Sequence, residues 1–218
     1  MKNDELRPKI LGIRMISNVS PDLAGVLKLG PRHKSLGIIT ADMDDVTYTA
    51  LDEATKDADV DVVYARSMYA GAGNATTKLA GEVIGILGGP SPAEIRSGLG
   101  AMIAFLEHGA CFISANDEDS IVYYAHTVSR TGSYLSKSAG IREGEPLAYL
   151  IAPPLEAIYG MDAALKAADV RIAAFYGPPS ETNFGGGLLT GSQSACKAAC
   201  SAFAQAVRAV AEHPREYE

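Results

Sequence analysis

The chain has no tryptophan, few aromatics of any kind (7%), and only three cysteines and four histidines in 218 residues. Three is an odd number, and Cys111, Cys196 and Cys200 lack the spacing of a disulfide scaffold, which fits a reducing compartment. Cys196 and Cys200 stand four apart on an expected helix. A zinc site would need two further ligands at a spacing that is missing, so they read as small core residues. His33, His108, His126 and His213 are scattered and match no zinc or catalytic pattern. No serine sits in a nucleophile-elbow context. Gly71-x-Gly73 follows an expected strand, but no helix comes directly after it and no acid stands at the right place downstream, so it is a very weak nucleotide-binding signal. The acidic run Asp42-Met43-Asp44-Asp45 lacks the glycine and late glutamate of a calcium loop and reads as a solvated turn. No metal and no cofactor is expected. Without a nucleophile, base or metal in named roles, an enzyme is not expected either.

Positive charge is also short. Lysine and arginine total 19 against 26 acids, for a net charge of −7. A phosphate backbone needs a basic face, so nucleic acid is excluded as a partner. Apolar runs such as Leu147 to Ala152 reach about six residues, against about 20 for a membrane span. The opening Met-Lys-Asn-Asp-Glu-Leu-Arg-Pro-Lys is charged and has no apolar centre, so neither a secretory signal nor a membrane is expected, and the location is cytoplasmic.

What is present is a repeat. DEATKDADV from Asp52 and DAALKAADV from Asp162 match at six of nine positions. Ser17 and Leu23 find Ser129 and Leu135, Leu36 and Ala41 find Leu147 and Ala152, and Gly89 and Ala93 find Gly191 and Ala195, all in the same order. The interval narrows from 110 to 102 along the way, which places about eight extra residues of the first half in the glycine-rich stretch Ser67 to Gly81. Each half reads as βαβαββα. In the first, strands are expected at Ile10 to Ser17, Leu36 to Ala41, Val60 to Ala65 and Val83 to Leu87. Helices are expected from Ser20-Pro21, over Asp52 to Asp57, and from Ser91-Pro92. Ser20 and Ser91 precede a proline at the first helical position, a helix-start signal. Ile95, Leu99, Met102, Ile103 and Leu106 share one helix face, as do Cys196, Cys200, Phe203, Val207 and Val210. The fold class is therefore α/β, with α+β-like open sheets carrying helices, in a tandem repeat of two similar domains, 1–107 and 108–218.

Two equivalent loops follow the strand after the repeated Ala-Asp-Val, Ser67 to Thr77 and Tyr176 to Gly187. Both mix small residues with an aromatic expected to be exposed, Tyr69 or Phe184. Loops of this length are more often functional than idle.

Five segments carry a resemblance. They are Lys34 to Lys56 (KSLGIITADMDDVTYTALDEATK), Val62 to Gly73 (VVYARSMYAGAG), Val128 to Ser136 (VSRTGSYLS), Ala152 to Ala157 (APPLEA) and Leu189 to Cys200 (LTGSQSACKAAC). The chain resembles, from about Leu6 to Ala211, the ethanolamine-utilisation shell proteins of bacterial microcompartments, which join circularly permuted BMC domains in tandem. The resemblance implies a structural shell subunit, a homotrimer of pseudo-sixfold shape that tiles with other shell proteins, with a gated central pore and smaller pores that bind ethanolamine. By the same resemblance Asp44, Glu82, Phe112 and Thr182 match the ethanolamine-binding positions. Tyr69, Gly71, Gly73, Asn183 and Phe184 match the pore-gating loops. The first set suits the ligand: carboxylates pair with an ammonium, an aromatic face attracts a cation, and a threonine hydroxyl bonds an alcohol. Cobalamin has been linked to such shells, and no residue here requires it. The competing reading is a small-molecule-sensing regulatory protein built from two α/β repeats, which would stay a discrete oligomer where a shell protein forms sheets.

Overall fold

The computed structural model describes residues 2–67, 82–178 and 183–216. Ten strands and six helices are found among them. The first repeat runs β2 (Ile10–Ile16), α1 (Pro21–Val26), β3 (Ser35–Ala41), α2 (Asp44–Asp57), β4 (Asp61–Ser67), β5 (Val83–Gly89) and α3 (Pro92–His108). The second runs β7 (Val122–Val128), α4 (Ser133–Ala139), β8 (Leu147–Ala152), α5 (Pro154–Ala167), β9 (Val170–Tyr176), β10 (Gly185–Gly191) and α6 (Gln193–Glu212). Both are βαβαββα, as the paired motifs imply. Two short strands, β1 (Glu5–Leu6) and β6 (Phe112–Ser114), escape the pattern, because two or three residues carry no period to read.

The sheets share a topology. One has the order β2-β3-β5-β4. The other contains β7-β8-β10-β9 and extends it with β6 and β1 beside β7. Every ladder among the described residues is antiparallel. The apolar strands SLGIITA and LAYLIA take interior positions, where both faces are covered, and β8 is buried along its whole length. The glycine-rich strand β10 pairs beside β8. Gly186 there has φ +140°, and a Cβ on it would stand 1.9 Å from the Leu150 carbonyl oxygen, so only glycine fits.

Helix starts follow local chemistry. Ser91 Oγ accepts from Glu94 N and Ser192 Oγ from Ala195 N, so equivalent serines cap α3 and α6. On α3, Ile95, Gly98, Leu99, Met102 and Leu106 are buried; on α6, Cys196, Cys200, Phe203 and Val207 are among the buried face. Each large apolar side chain so buried contributes about 1.5–3 kcal/mol before the entropy of ordering it. The first-repeat helix expected over Asp52 to Asp57 is longer than that. α2 begins at Asp44, so the acidic run is no solvated turn: Asp44 and Asp45 form the first helical turn, where free N–H groups favour negative charge.

The chain forms two compact units. One comprises Pro8–Ala110 with Gly132–Leu135, the other Met1–Arg7, Cys111–Thr131 and Ser136–Glu218. Each thus takes a short segment from the far side of the repeat boundary. The second unit's core gathers Leu150, Ala157, Met161, Leu189, Phe203 and Val207, with Cys196 and Cys200 among them. No helix of the described residues is long and apolar enough to cross a membrane.

Candidate ligand site

Acids collect at one end of the four-stranded sheet. Ala41 ends β3, Ser67 ends β4 and Val83 begins β5, and the ladder places both Ala41 and Ser67 opposite Val83. Asp42 and Glu82 flank that row, and Asp44 opens α2 two residues further on. Asp42 Oδ1 accepts from Lys9 N at 2.6 Å. Asp44, Asp45 and Glu82 are all buried.

Asp44 is held by a short relay. Ser67 Oγ donates to Asp44 Oδ2 at 2.7 Å, and Tyr48 Oη lies 2.5 Å from Ser67 Oγ. The serine's one proton faces the carboxylate, so the tyrosine donates to the serine. Asp45 N donates to Asp44 Oδ1 at 2.9 Å. Burial pushes the Asp44 carboxyl well above its ordinary value, and the neighbouring Asp45 charge pushes it further, against the bonds from Ser67 and Asp45 N–H. Asp42 is also raised, by burial first. The Lys9 backbone N–H and charge oppose that, and Glu82 adds to it. Four carboxyls in one corner concentrate negative charge that a small cation would neutralise, and the hydroxyls of Ser67 and Tyr48 stand beside it.

The other expected residues belong to the second unit or fall outside the described residues. Phe112, on β6 of the second unit, is a core aromatic. It stacks on Tyr124 at 5.5 Å between ring centroids and meets Phe184 edge-on at 5.9 Å. Phe184, expected to be exposed, is therefore buried, because this aromatic cluster gives its ring a partner. Asn183 before it is exposed with φ +66°, a conformation asparagine tolerates better than most residues. Asp44 and Glu82 belong to the first unit and Phe112 and Phe184 to the second. Thr182, Tyr69, Gly71 and Gly73 lie outside the described residues.

Sequence reasoning missed Tyr48, Ser67 and Asp42 as parts of the corner. Tyr48 follows Asp44 by one helical turn, a signal that becomes readable once α2 is started at Asp44. Ser67 carries no such signal, since it reaches Asp44 only through the pairing of β4 with β5. Among the described residues no group of three or more His, Cys, Asp and Glu side chains is placed to hold a metal ion.

The BMC domain family matches residues 35–116. The chain is 73% identical over 214 residues to the bacterial microcompartment shell protein EutL of Clostridium perfringens (strain 13 / Type A), covering 98% of this chain and 99% of that one. It is 59% identical over 211 residues to EutL of Escherichia coli (strain K12), covering 97% and 96%. The crystal structure of ethanolamine utilization protein EutL from Leptotrichia buccalis C-1013-b superposes with a TM-score of 0.95 at 69% identity, over 100% of both chains.

Proposed function

Because this chain belongs to the EutL family of bacterial microcompartment shell proteins, we propose that it is a structural shell subunit of an ethanolamine-utilisation microcompartment, acting as a tile and metabolite passage rather than as an enzyme. The observation that carries this is end-to-end similarity that includes both repeats, at 73% identity over 98% of the chain. Three copies of a chain with two like domains supply six similar wedges, and closed symmetry joins them into a ring. Light scattering on the purified protein is expected to give the mass of three chains, and negative-stain microscopy to show hexagonally packed layers. Discrete particles that never form layers would instead fit a small-molecule sensor.

The ligand we propose for the acidic corner is ethanolamine. Its ammonium would pair with Asp44 and Glu82, the positions that sequence resemblance singles out, with Phe112 and Thr182 completing the set. Support for the carboxylates comes from their burial in a corner shared with Asp42 and Asp45. The gate proposed from the sequence comprises Tyr69, Gly71, Gly73, Asn183 and Phe184. Calorimetry tests the ligand. A buried charge-assisted contact contributes about 1.5–3 kcal/mol, so Glu82→Gln should weaken ethanolamine about tenfold to a hundredfold, and Asp44→Asn likewise. Unchanged affinity in both variants would remove the corner from the ligand's path.

A further inference from the structure

The two repeats treat one sheet corner differently. In the first it is filled. His33, just before β3, packs its ring against Gly88 near the end of β5, where a Cβ would stand 3.1 Å from His33 Cγ. Both ring nitrogens are used. Nδ1 accepts from Gly30 N at 3.1 Å, so the proton sits on Nε2, which donates to Asp61 Oδ2 at 2.7 Å. Arg32 pairs with Asp59 and lies 3.5 Å from Asp61 Oδ2. Two basic side chains thus cover two acids.

In the second repeat the occupant is gone. Position by position, Arg32, His33, Asp59, Asp61 and Gly88 correspond to Glu143, Gly144, Asp169, Arg171 and Thr190. The pairing is kept, since Arg171 stands opposite Thr190 as Asp61 stands opposite Gly88. Gly144 has no side chain, and its φ of +90° is one that favours glycine. The second unit has an open pocket of about 370 Å³ here, lined by Glu145, Asp169, Arg171, Thr190 and Ser192 among others. Its lining thus includes the counterparts of the residues that hold His33. The volume falls at the low end of the ~300–1,000 Å³ of small-molecule sites.

The charges around this pocket are mixed. The acid that receives the histidine has become Arg171. Arg171 and Asp169 are both exposed, and neither side chain has a hydrogen bond or ion pair among the described residues. Glu145 Oε1 accepts from Arg142 Nε at 2.8 Å. Thr190 Oγ1 donates to the Pro146 carbonyl at 2.9 Å, which leaves its lone pairs for another donor. A lone anion on Arg171 would face two carboxylates, and a lone cation on the carboxylates would face Arg171. A molecule that carries both charges meets each with its opposite.

We propose that this pocket binds a small zwitterion, an amino acid with its carboxylate on the Arg171 guanidinium and its ammonium on Asp169 and Glu145. The site lies wholly in the second unit and shares no residue with the acidic corner. It stands or falls independently of the ligand proposed there.

Saturation-transfer NMR on the full chain tests it. The probes are glycine, β-alanine and γ-aminobutyrate at fixed ionic strength, with acetate and ethylamine as single-charge controls. At least one amino acid should bind with a Kd on the order of 1 mM, as suits exposed charges in an open pocket, and both controls at least about tenfold more weakly. Ethanolamine, a cation with no anionic end, should not displace it. Arg171→Gln and Asp169→Asn should each weaken binding at least about threefold. Their thermal transitions should match the parent's, because neither side chain bonds anything in the fold. Acetate binding as tightly as the amino acids would make this an anion site and overturn the proposal. So would the absence of saturation transfer to every amino acid, displacement by ethanolamine, or an affinity that both variants leave unchanged.

Discussion

Asp44 holds its proton more tightly than an exposed aspartate would, since its carboxyl is raised well above the ordinary 3.8 by burial and by Asp45. A raised acid binds its proton better folded than unfolded. Its favourable contribution is present below the ordinary carboxylate pKa and is lost as pH rises through the folded value. Asp44→Asn should therefore gain stability relative to the parent as pH rises above about 4. Urea titrations between pH 4 and 8 would read this as a widening gap between the two proteins, and a constant gap would refute it. Ethanolamine should close the gap in the parent near neutral pH, where its ammonium meets a charged carboxylate. Cys200 behaves differently. Burial pushes its thiol up to about 11, against the bond donated by Thr127 Oγ1. The thiolate is the reactive form, so native protein at pH 8 should take up iodoacetamide at Cys200 only on unfolding; rapid native labelling would contradict its placement in the core. Cys196 and Cys200 were readable as core residues because their spacing repeats one helix face. The Asp44 relay was not, because it depends on which strand end lies beside which helix start.

Among the elements, the first turn of α4 is tightly specified by its surroundings. A Cβ at Gly132 would lie 2.2 Å from Thr55 Oγ1 and 2.6 Å from the Asp52 backbone oxygen, and backbone has little room to retreat. Gly132→Ala should destabilise the fold by about 1–3 kcal/mol, as overpacking does. Asp52→Ala should cost a similar amount by a different route, leaving the Gly132 and Leu135 N–H groups without their acceptor. Thermal melts of the two variants and of the double variant would show less than additive loss, since both damage the same turn. Additive losses would mean that the two residues act on separate features. Helix starts at Ser20 and Ser91 were legible in sequence, because the capping serine and the N–H that donates to it are neighbours along the chain. The α2 start was not. Met43 supplies no side-chain cap, and the helix begins on acids that also suit a turn.

In the whole molecule, the duplication was legible from a nine-residue motif and the order of its companions, and the matching strand orders of the two sheets follow from it. The allocation of residues to compact units was not. Nothing local marks residues 132–135 for the first unit or residues 1–7 for the second. β1 finds β6 more than a hundred residues away, through the pairs Glu5 with Ile113 and Leu6 with Phe112. That exchange has a practical consequence for cutting the gene in two. A break in the exposed turn at Glu118 gives one fragment lacking the α4 start that α2 requires, and another lacking the β1–β6 ribbon that borders β7. Expressed singly, each fragment should be insoluble or molten. Expressed together, they should recover each other as a non-covalent pair that co-purifies through a tag on either one. The chain would then serve as a split reporter whose signal depends on two translation products meeting, and a fragment that folds alone to a sharp thermal transition would show that the exchanged segments are dispensable.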